Sequence, residues 1–187
     1  MTAETNTFRE KLYRELQLFA NSHPEQQETA DAICAFISST PDCFKRSHQA
    51  GHITGSAWLL NPAGDKVLMT LHHKLQRWMQ TGGHADGDPE PLRVALREAE
   101  EESGIRGIRP VHHRIFDIDI HLIPEHKAKK EPAHLHYDIR YLLQAPHENC
   151  SLSEESDDLA WWSREDFHRH AAQLDASVLR MAARYFG

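Results

Sequence analysis

The chain has 187 residues, of which 40% are hydrophobic and 26% charged, and its formal net charge at pH 7 is −7. This composition is typical of a globular protein with one core of ordinary size, and the acidic balance argues against a nucleic-acid backbone as the main partner. No apolar run approaches the roughly 18–20 residues of a membrane span, and the N-terminus lacks a signal-peptide pattern. Three widely spaced cysteines argue against a disulfide framework or a zinc site and favour a reducing cytoplasm.

The first 44 residues predict two helices. Apolar residues recur at helical spacing over 6–20 and again over 25–38. Pro24 suits the start of the second helix, and turn-forming residues follow its end. We interpret residues 1–44 as a helical extension packed on a main domain of residues 45–187.

From Ile53 the pattern changes to strands. Segments 56–60 and 66–71 flank a turn-forming cluster, which predicts a hairpin. Residues 76–83 lead into the helix described next. Further strands are predicted over 114–123, 134–144 and 159–163, and then helices from Arg164 and over 175–185. Together with the helix described next, this order favours an α/β class protein, an α/β/α sandwich around a mixed β-sheet.

A helix is predicted over 89–103. Asp88 suits its N-cap and Pro89 its first position. Gly104 suits the left-handed position that follows the last turn.

Four glutamates crowd the end of this helix, where like charges repel each other and meet the wrong end of the helix dipole. A spacing of 100° per residue places Glu98, Glu101 and Glu102 on one arc and Glu100 on another. A bound divalent cation would relieve the repulsion, and ligands that offer only oxygen suit Mg²⁺ or Mn²⁺. The alternative is a solvated acidic face.

The residues around the glutamates resemble a known motif. Gly83, followed by the run Arg97-Glu98-Ala99-Glu100-Glu101-Glu102-Ser103-Gly104-Ile105, closely resembles the Nudix box, Gly-x5-Glu-x7-Arg-Glu-U-x-Glu-Glu-x-Gly-U, where U is aliphatic. Two positions depart from the motif. Ala99 is smaller than the usual Leu or Ile, and Pro89 stands at the first glutamate position, with Glu90 one place late. In the family that glutamate mainly orients the arginine, so the departure concerns how Arg97 is held.

The resemblance implies the Nudix fold and a Mg²⁺-dependent pyrophosphohydrolase that uses metal-activated water, with Mn²⁺ as the other metal. The implied substrate is a nucleoside diphosphate derivative, of the nucleotide sugar, ADP-ribose or nucleoside triphosphate class. Glu98, Glu101 and Glu102 are the expected metal ligands, the Gly83 carbonyl is a ligand implied by the resemblance, and Arg97 orients the carboxylates. Glu98 is also a candidate for the catalytic base. In the family that base can instead be an acid on a later loop, here one of Glu154, Glu155, Asp157 and Asp158.

Histidine is in excess, with 15 residues. His84 directly follows the box glycine, and with Trp78 it is a candidate for substrate binding; core packing is the alternative for Trp78. His134 and His136 lie two apart on one face of a predicted strand, a spacing that lets a pair share a metal. The sequence identifies no third ligand for them, and structural or surface roles are the alternative. The basic segment 124–132 is a candidate contact for a distal phosphate.

Two other function classes stay open. One is a non-catalytic nucleotide-binding module or regulator, which only the displaced first glutamate supports. The other is an enzyme similar to isopentenyl diphosphate isomerase, suggested by residues 78–84, although such relatives lack an intact box and need a catalytic cysteine. The expected partners are a small-molecule diphosphate and, by analogy with the family, a second copy of the chain. Neither a nucleic acid nor a membrane is expected.

Overall fold

A computed structural model describes residues 3–73, 76–125, 132–153 and 156–187. The elements in chain order are α1 (Ala3–Ser22), a 3₁₀ turn (Pro24–Gln26), α2 (Gln27–Ser39), β1 (Gly51–Leu60), β2 (Lys66–His72), β3 (Arg77–Met79), β4 (Thr81–His84), α3 (Pro91–Ser103), β5 (Arg109–Ile123), β6 (His134–Gln144), β7 (Ser156–Ser163), α4 (Arg164–His170), a second 3₁₀ turn (Ala171–Gln173) and α5 (Ala176–Phe186). Within these ranges no helix is long and apolar enough to cross a membrane.

Across the described ranges, seven strands form one sheet. The order is β3-β2-β1-β6-β5, with β4 paired to β1 and β7 paired to β2. The predicted hairpin is confirmed, because β1 and β2 are antiparallel with Leu60 opposite Val67. Its turn is closed by the Asn61 side chain, whose Oδ1 accepts the N–H groups of Asp65 and Lys66, both at 3.1 Å. The predicted α/β class with a mixed sheet is confirmed.

The chain divides into two compact units, each built from several segments. The first contains Met1–Gly55, Gly83–Val94 and Arg114–Arg140, and the second contains Ser56–Gly82, Ala95–His113 and Tyr141–Gly187. The predicted division into an extension of residues 1–44 and a domain of residues 45–187 stays a prediction.

In the first unit, the two predicted N-terminal helices are confirmed. Most apolar residues at the helical spacing are buried, namely Leu12, Leu16, Phe19, Ala30, Ile33, Cys34 and Ile37. The Gln26 side chain donates to the Ile118 carbonyl of β5 at 2.8 Å, and the Phe36 ring stacks on Tyr137 of β6 with centroids 3.9 Å apart. These contacts fix α2 against the face of β6 that carries Tyr137.

In the second unit, aromatic side chains pack the core beside β7 and α4. Trp58 is fully buried and its ring lies 5.3 Å from that of Phe167, while Trp162 contacts Phe167 edge-on. Helix α4 begins in a capping box in which Ser163 and Asp166 bond each other's backbone N–H groups. All three cysteines of the chain are free.

Helix α3 begins two residues later than predicted. Asp88 accepts the N–H of Glu90 at 2.9 Å, and the Glu90 carbonyl accepts the N–H of Val94 at 3.2 Å. Glu90 is therefore the flanking residue, and Pro91 rather than Pro89 takes the first helical position. The end of the helix is as predicted, because Gly104 has φ +70°.

Candidate functional site

Three of the glutamates at the end of α3 differ in their surroundings. Glu102 is only 9% exposed, and its Oε1 accepts the Gly82 N–H at 2.8 Å. Glu98 is partly buried, and Arg97 donates to its Oε1 at 2.7 Å, whereas Glu101 is exposed. Two of the predicted metal ligands are thus oriented by donors from the same unit.

Glu100 faces other partners, as its position on the helix predicts. It accepts from Arg106 at 3.0 Å and from the Gly107 N–H at 2.9 Å, which ties it to the turn after the helix. Ala99, the small residue at the usual Leu or Ile position, is fully buried. A small side chain there lets the helix lie close to its support.

The acidic residues on either side of Pro89, which stands at the first glutamate position of the motif, have ion-pair partners within the first unit. Glu90 pairs with Lys11 at 3.1 Å and with Arg93 at 3.4 Å. Arg93 also pairs with Asp88 at 2.5 Å. The displaced glutamate is therefore part of an ion-pair network with α1.

Two of the four acids proposed as a catalytic base on a later loop, Asp157 and Asp158, lie within the described residues. Glu154 and Glu155 lie outside the described residues, as do residues 126–131 of the basic segment. Asp157 accepts from His73 and Gln76, both at 2.5 Å, and these two hydrogen bonds lower the pKa of its carboxyl group. A lowered pKa weakens Asp157 as a proton acceptor.

The candidate substrate-binding ring Trp78 is half-buried and lies 5.1 Å from Trp162, measured between ring centroids. Trp162 is itself buried and contacts His170. Trp78 therefore packs against the part of the core that contains Trp162.

The structure brings His84 together with three other histidines of the first unit. His134 and His136 come from β6, His52 comes from β1, and His84 ends β4. One ring nitrogen from each of the four lies within 4.8 Å of the others. We call these four residues the histidine cluster. Sequence reasoning singled out three of its members but missed His52, because only the spacing of His134 and His136 pointed to a shared site.

Burial dominates the electrostatics of the histidine cluster. Desolvation, with a smaller contribution from His134, lowers the pKa of His52 to about 4. Desolvation, followed by His84 and His121, lowers the pKa of His136 far below its ordinary 6.5. These two rings are therefore neutral at pH 7 and can act as metal ligands.

A buried ion network continues along β6 from the histidine cluster. Arg140 is 2% exposed and contacts Asp138 at 2.7 Å, Asp117 at 3.1 Å and Asp119 at 3.3 Å. Thr54 of β1 donates to Asp138 at 2.9 Å. Burial alone would lower the pKa of the Arg140 guanidinium, but the three aspartates outweigh it and raise that pKa.

Comparison with known proteins covers most of the chain. The NUDIX domain family profile matches residues 52–182. A "Probable DHNTP pyrophosphohydrolase" from Lactococcus lactis subsp. cremoris (strain MG1363) is 30% identical over 90 residues, which are 48% of this chain and 53% of that protein. The chain thus spans about half the length of that curated relative.

Solved structures share the fold. A hydrolase of the NUDIX family from Clostridium perfringens is 26% identical, with a TM-score of 0.53 over 72% of this chain and 95% of that one. A UDP-X diphosphatase is 12% identical, with a TM-score of 0.53 over 97% of this chain and 95% of that one. E. coli dihydroneopterin triphosphate pyrophosphohydrolase is 14% identical, with a TM-score of 0.53 over 71% of this chain and 93% of that one.

Proposed function

This chain belongs to the NUDIX domain family, and from that premise we propose that it is a Mg²⁺-dependent pyrophosphohydrolase that cleaves a diphosphate linkage in a nucleoside diphosphate derivative. The observation that carries the proposal is the arrangement at the end of α3. There Glu102 is buried and oriented by the Gly82 N–H, Glu98 is oriented by Arg97, and Glu101 is exposed one turn from Glu98.

The donor set fits a hard divalent cation. Mg²⁺ prefers oxygen ligands and is commonly held by one or two carboxylates together with substrate phosphates. We assign Glu98, Glu101 and Glu102 as the residues that hold it. The Gly83 carbonyl stays a further ligand that rests on the family resemblance alone. When bound, Mg²⁺ or Mn²⁺ neutralises charge on the diphosphate oxygens and makes a water molecule more acidic.

The residues of the chain orient the carboxylates and receive the proton. The Gly82 N–H fixes Glu102 through Oε1, so the direction of this carboxylate is set before any ligand arrives. Arg97 holds Oε1 of Glu98 in the same way. We propose Glu98 as the proton acceptor, because the loop acid Asp157 accepts hydrogen bonds from His73 and Gln76 on its two carboxylate oxygens and is held ionised by them.

The family and its relatives support the proposed substrate class. The relative from Lactococcus lactis is described as acting on DHNTP, and a structural neighbour as acting on UDP-X. We therefore extend the expected substrates, which are nucleotide sugars, ADP-ribose and nucleoside triphosphates, by DHNTP. The cytoplasmic location and the homodimer stay predictions.

Glu102→Gln tests the proposal directly. Glutamine keeps an oxygen that can accept the Gly82 N–H, so the fold should persist while the negative charge on the cation is lost. We expect turnover to fall at least about 100-fold, since even outer-shell substitutions cost about 10–100-fold in metal affinity or activity. The assay measures phosphate release from the four substrate classes with Mg²⁺ or Mn²⁺, coupled to a phosphatase that acts only on the products.

Glu100→Gln is the matched control. It removes the same charge from the same helix, but Glu100 bonds Arg106 and Gly107. Its turnover should stay within about twofold of that of the unmodified chain, because surface ion pairs contribute little. Equal turnover in the two variants would refute the assignment of Glu102. A folded chain that binds Mg²⁺ and is silent on every substrate would favour the non-catalytic module.

A further inference from the structure

We propose that His52, His84, His134 and His136 form a binding site for a divalent transition-metal ion, and that this ion is zinc. The four residues belong to the first unit and stand on three strands, and one ring nitrogen of each lies within 4.8 Å of the others. Imidazole suits zinc, copper, iron and nickel, and four nitrogen ligands can complete the tetrahedral shell that zinc prefers.

The first argument is the condition of His52. This residue is 2% exposed, and among the described residues neither of its ring nitrogens makes a hydrogen bond of ordinary geometry, although the His48 backbone is near enough to raise its pKa slightly. A buried polar group without a partner costs about 1–3 kcal/mol, and such groups are rare in native proteins. A metal ion in the histidine cluster would satisfy one of these nitrogens.

The second argument is the tautomer of His134. Its Nδ1 lies 2.9 Å from the Pro132 carbonyl, which can only accept, so Nδ1 carries the hydrogen. In the neutral ring the lone pair is then on Nε2, which without an ion accepts a hydrogen bond from Nε2 of His136. A ring held through Nδ1–H to a backbone carbonyl, with Nε2 turned inward, is the usual arrangement of a histidine that ligates a metal.

The third argument is distance. Zinc–nitrogen bonds of about 2.0–2.1 Å at tetrahedral angles place two ligating nitrogens about 3.3 Å apart. The Nε2 atoms of His134 and His136 are 3.2 Å apart. The other nitrogens lie within 4.8 Å, so small ring rotations bring them to the same spacing.

The fourth argument is charge. Two residues beyond His136 on the same strand, Asp138 belongs to the buried network of three aspartates around Arg140. The formal charge of this network is −2, from three carboxylates and one guanidinium, and a divalent cation nearby would offset it. His121 also borders the histidine cluster, with its ring 5.4 Å from that of His136, but its Nδ1 bonds Asp119 at 3.1 Å.

This site differs in chemistry from the glutamate site of α3. The cluster offers only nitrogen, whereas Mg²⁺ takes oxygen. The cysteine count argued against zinc, but the ligands here are histidines. Because all four ligands come from the chain, the shell is closed and the ion has a structural role: it holds β1, β4 and β6 together.

The test is zinc binding in excess Mg²⁺, so that the α3 carboxylates cannot contribute. Metal-free chain is prepared with a chelator and titrated with Zn²⁺ against a chromophoric competitor, and Co²⁺ serves as a spectroscopic probe. We expect one Zn²⁺ per chain, a visible Co²⁺ spectrum typical of tetrahedral nitrogen ligands, and a higher midpoint of thermal unfolding with Zn²⁺.

Three variants locate the ion. His52→Phe removes a ligand and fills the buried position with an apolar ring, and His136→Gln removes a half-buried ligand. Each should lower zinc affinity at least about 100-fold, because loss of an outer-shell partner alone costs about 10–100-fold. His147→Gln, at an exposed histidine of the second unit, should bind zinc as the unmodified chain does.

Binding that is absent in the unmodified chain, or equal in all three variants, would overturn the proposal. Circular dichroism reports whether His52→Phe folds, and if it does not, His136→Gln decides the question alone. Glu102→Gln should keep its zinc, so a failure of the hydrolase proposal and a failure of the zinc proposal are told apart by separate measurements.

Discussion

Replacing Arg140 by methionine should destabilise the protein strongly. The Arg140 guanidinium is 2% exposed and is the cation that faces the carboxylates of Asp117, Asp119 and Asp138. Asp117 is fully buried and Asp138 nearly so. Methionine fills a similar volume, so the change removes the charge and its hydrogen bonds while leaving no large cavity.

The magnitude follows from the burial of the partners. Breaking a buried ion pair by removing one partner costs about 3–5 kcal/mol, because the other charge is left buried without compensation. Here three carboxylates lose their common partner, so we expect a loss at or above the middle of that range. For a chain of this size about 1 kcal/mol shifts the thermal midpoint by 2–4 °C, which predicts a decrease of roughly 8–20 °C.

Urea unfolding at pH 7, followed by circular dichroism, measures this loss in the free energy of unfolding. Arg106→Met is the matched control, because Arg106 is 80% exposed and its pair with Glu100 is worth about 0–1 kcal/mol. Adding Asp138→Asn to Arg140→Met should restore part of the stability by removing one of the carboxylate charges that Arg140 balanced. A loss below about 1 kcal/mol in Arg140→Met would refute the reasoning, since it would mean that the carboxylates are not held by this guanidinium.

Two further predictions concern backbone strain and pH. Gly104→Ala should lower the free energy of unfolding, measured in urea, by about 1–2 kcal/mol, because φ is +70° and the new Cβ would collide with Ser151. Adding Ser151→Ala should remove the collision but not the backbone strain. An unchanged urea midpoint in the single variant would contradict the left-handed conformation of residue 104. In metal-free chain, the free energy of unfolding should fall as the pH drops from 6.5 to about 4. The His52 ring is buried and is surrounded by the other cluster histidines, Arg46 and Asp86. Because burial lowers its pKa, the unfolded state takes up the proton first. At about 1.36 kcal/mol per pH unit, the loss from this ring approaches about 3 kcal/mol at pH 4. His52→Phe should flatten the dependence of the free energy of unfolding on pH in this range. An unchanged pH dependence in this variant would contradict the prediction.

Local patterns predicted most of the fold, because helices and hairpins depend on residues close together in the chain. The helical spacing of apolar residues located α1 and α2, and the turn residues after Leu60 located the first hairpin. The errors occurred where local signals were ambiguous. Two prolines, Pro89 and Pro91, suit the start of α3, and the hydrogen bonds that the Glu90 carbonyl accepts decide for Pro91. Strand β5 starts at Arg109, five residues before the predicted start, because its first residues are mostly polar on both faces and show no apolar alternation.

The histidine cluster was beyond prediction for a different reason. His52, His84 and His134 are separated by more than 30 residues at each step, and a single sequence does not give the register that aligns three strands. Alternation of polar residues also favours a solvent-facing strand. On β6, however, the alternating residues His134, Asp138 and Arg140 are all nearly fully buried. A buried polar row is stable only if its groups find partners, and Asp138 and Arg140 find them in each other and in β5. His52 lies outside this row, on β1, and neither of its buried ring nitrogens meets a hydrogen-bond partner among the described residues, which supports the proposed ion.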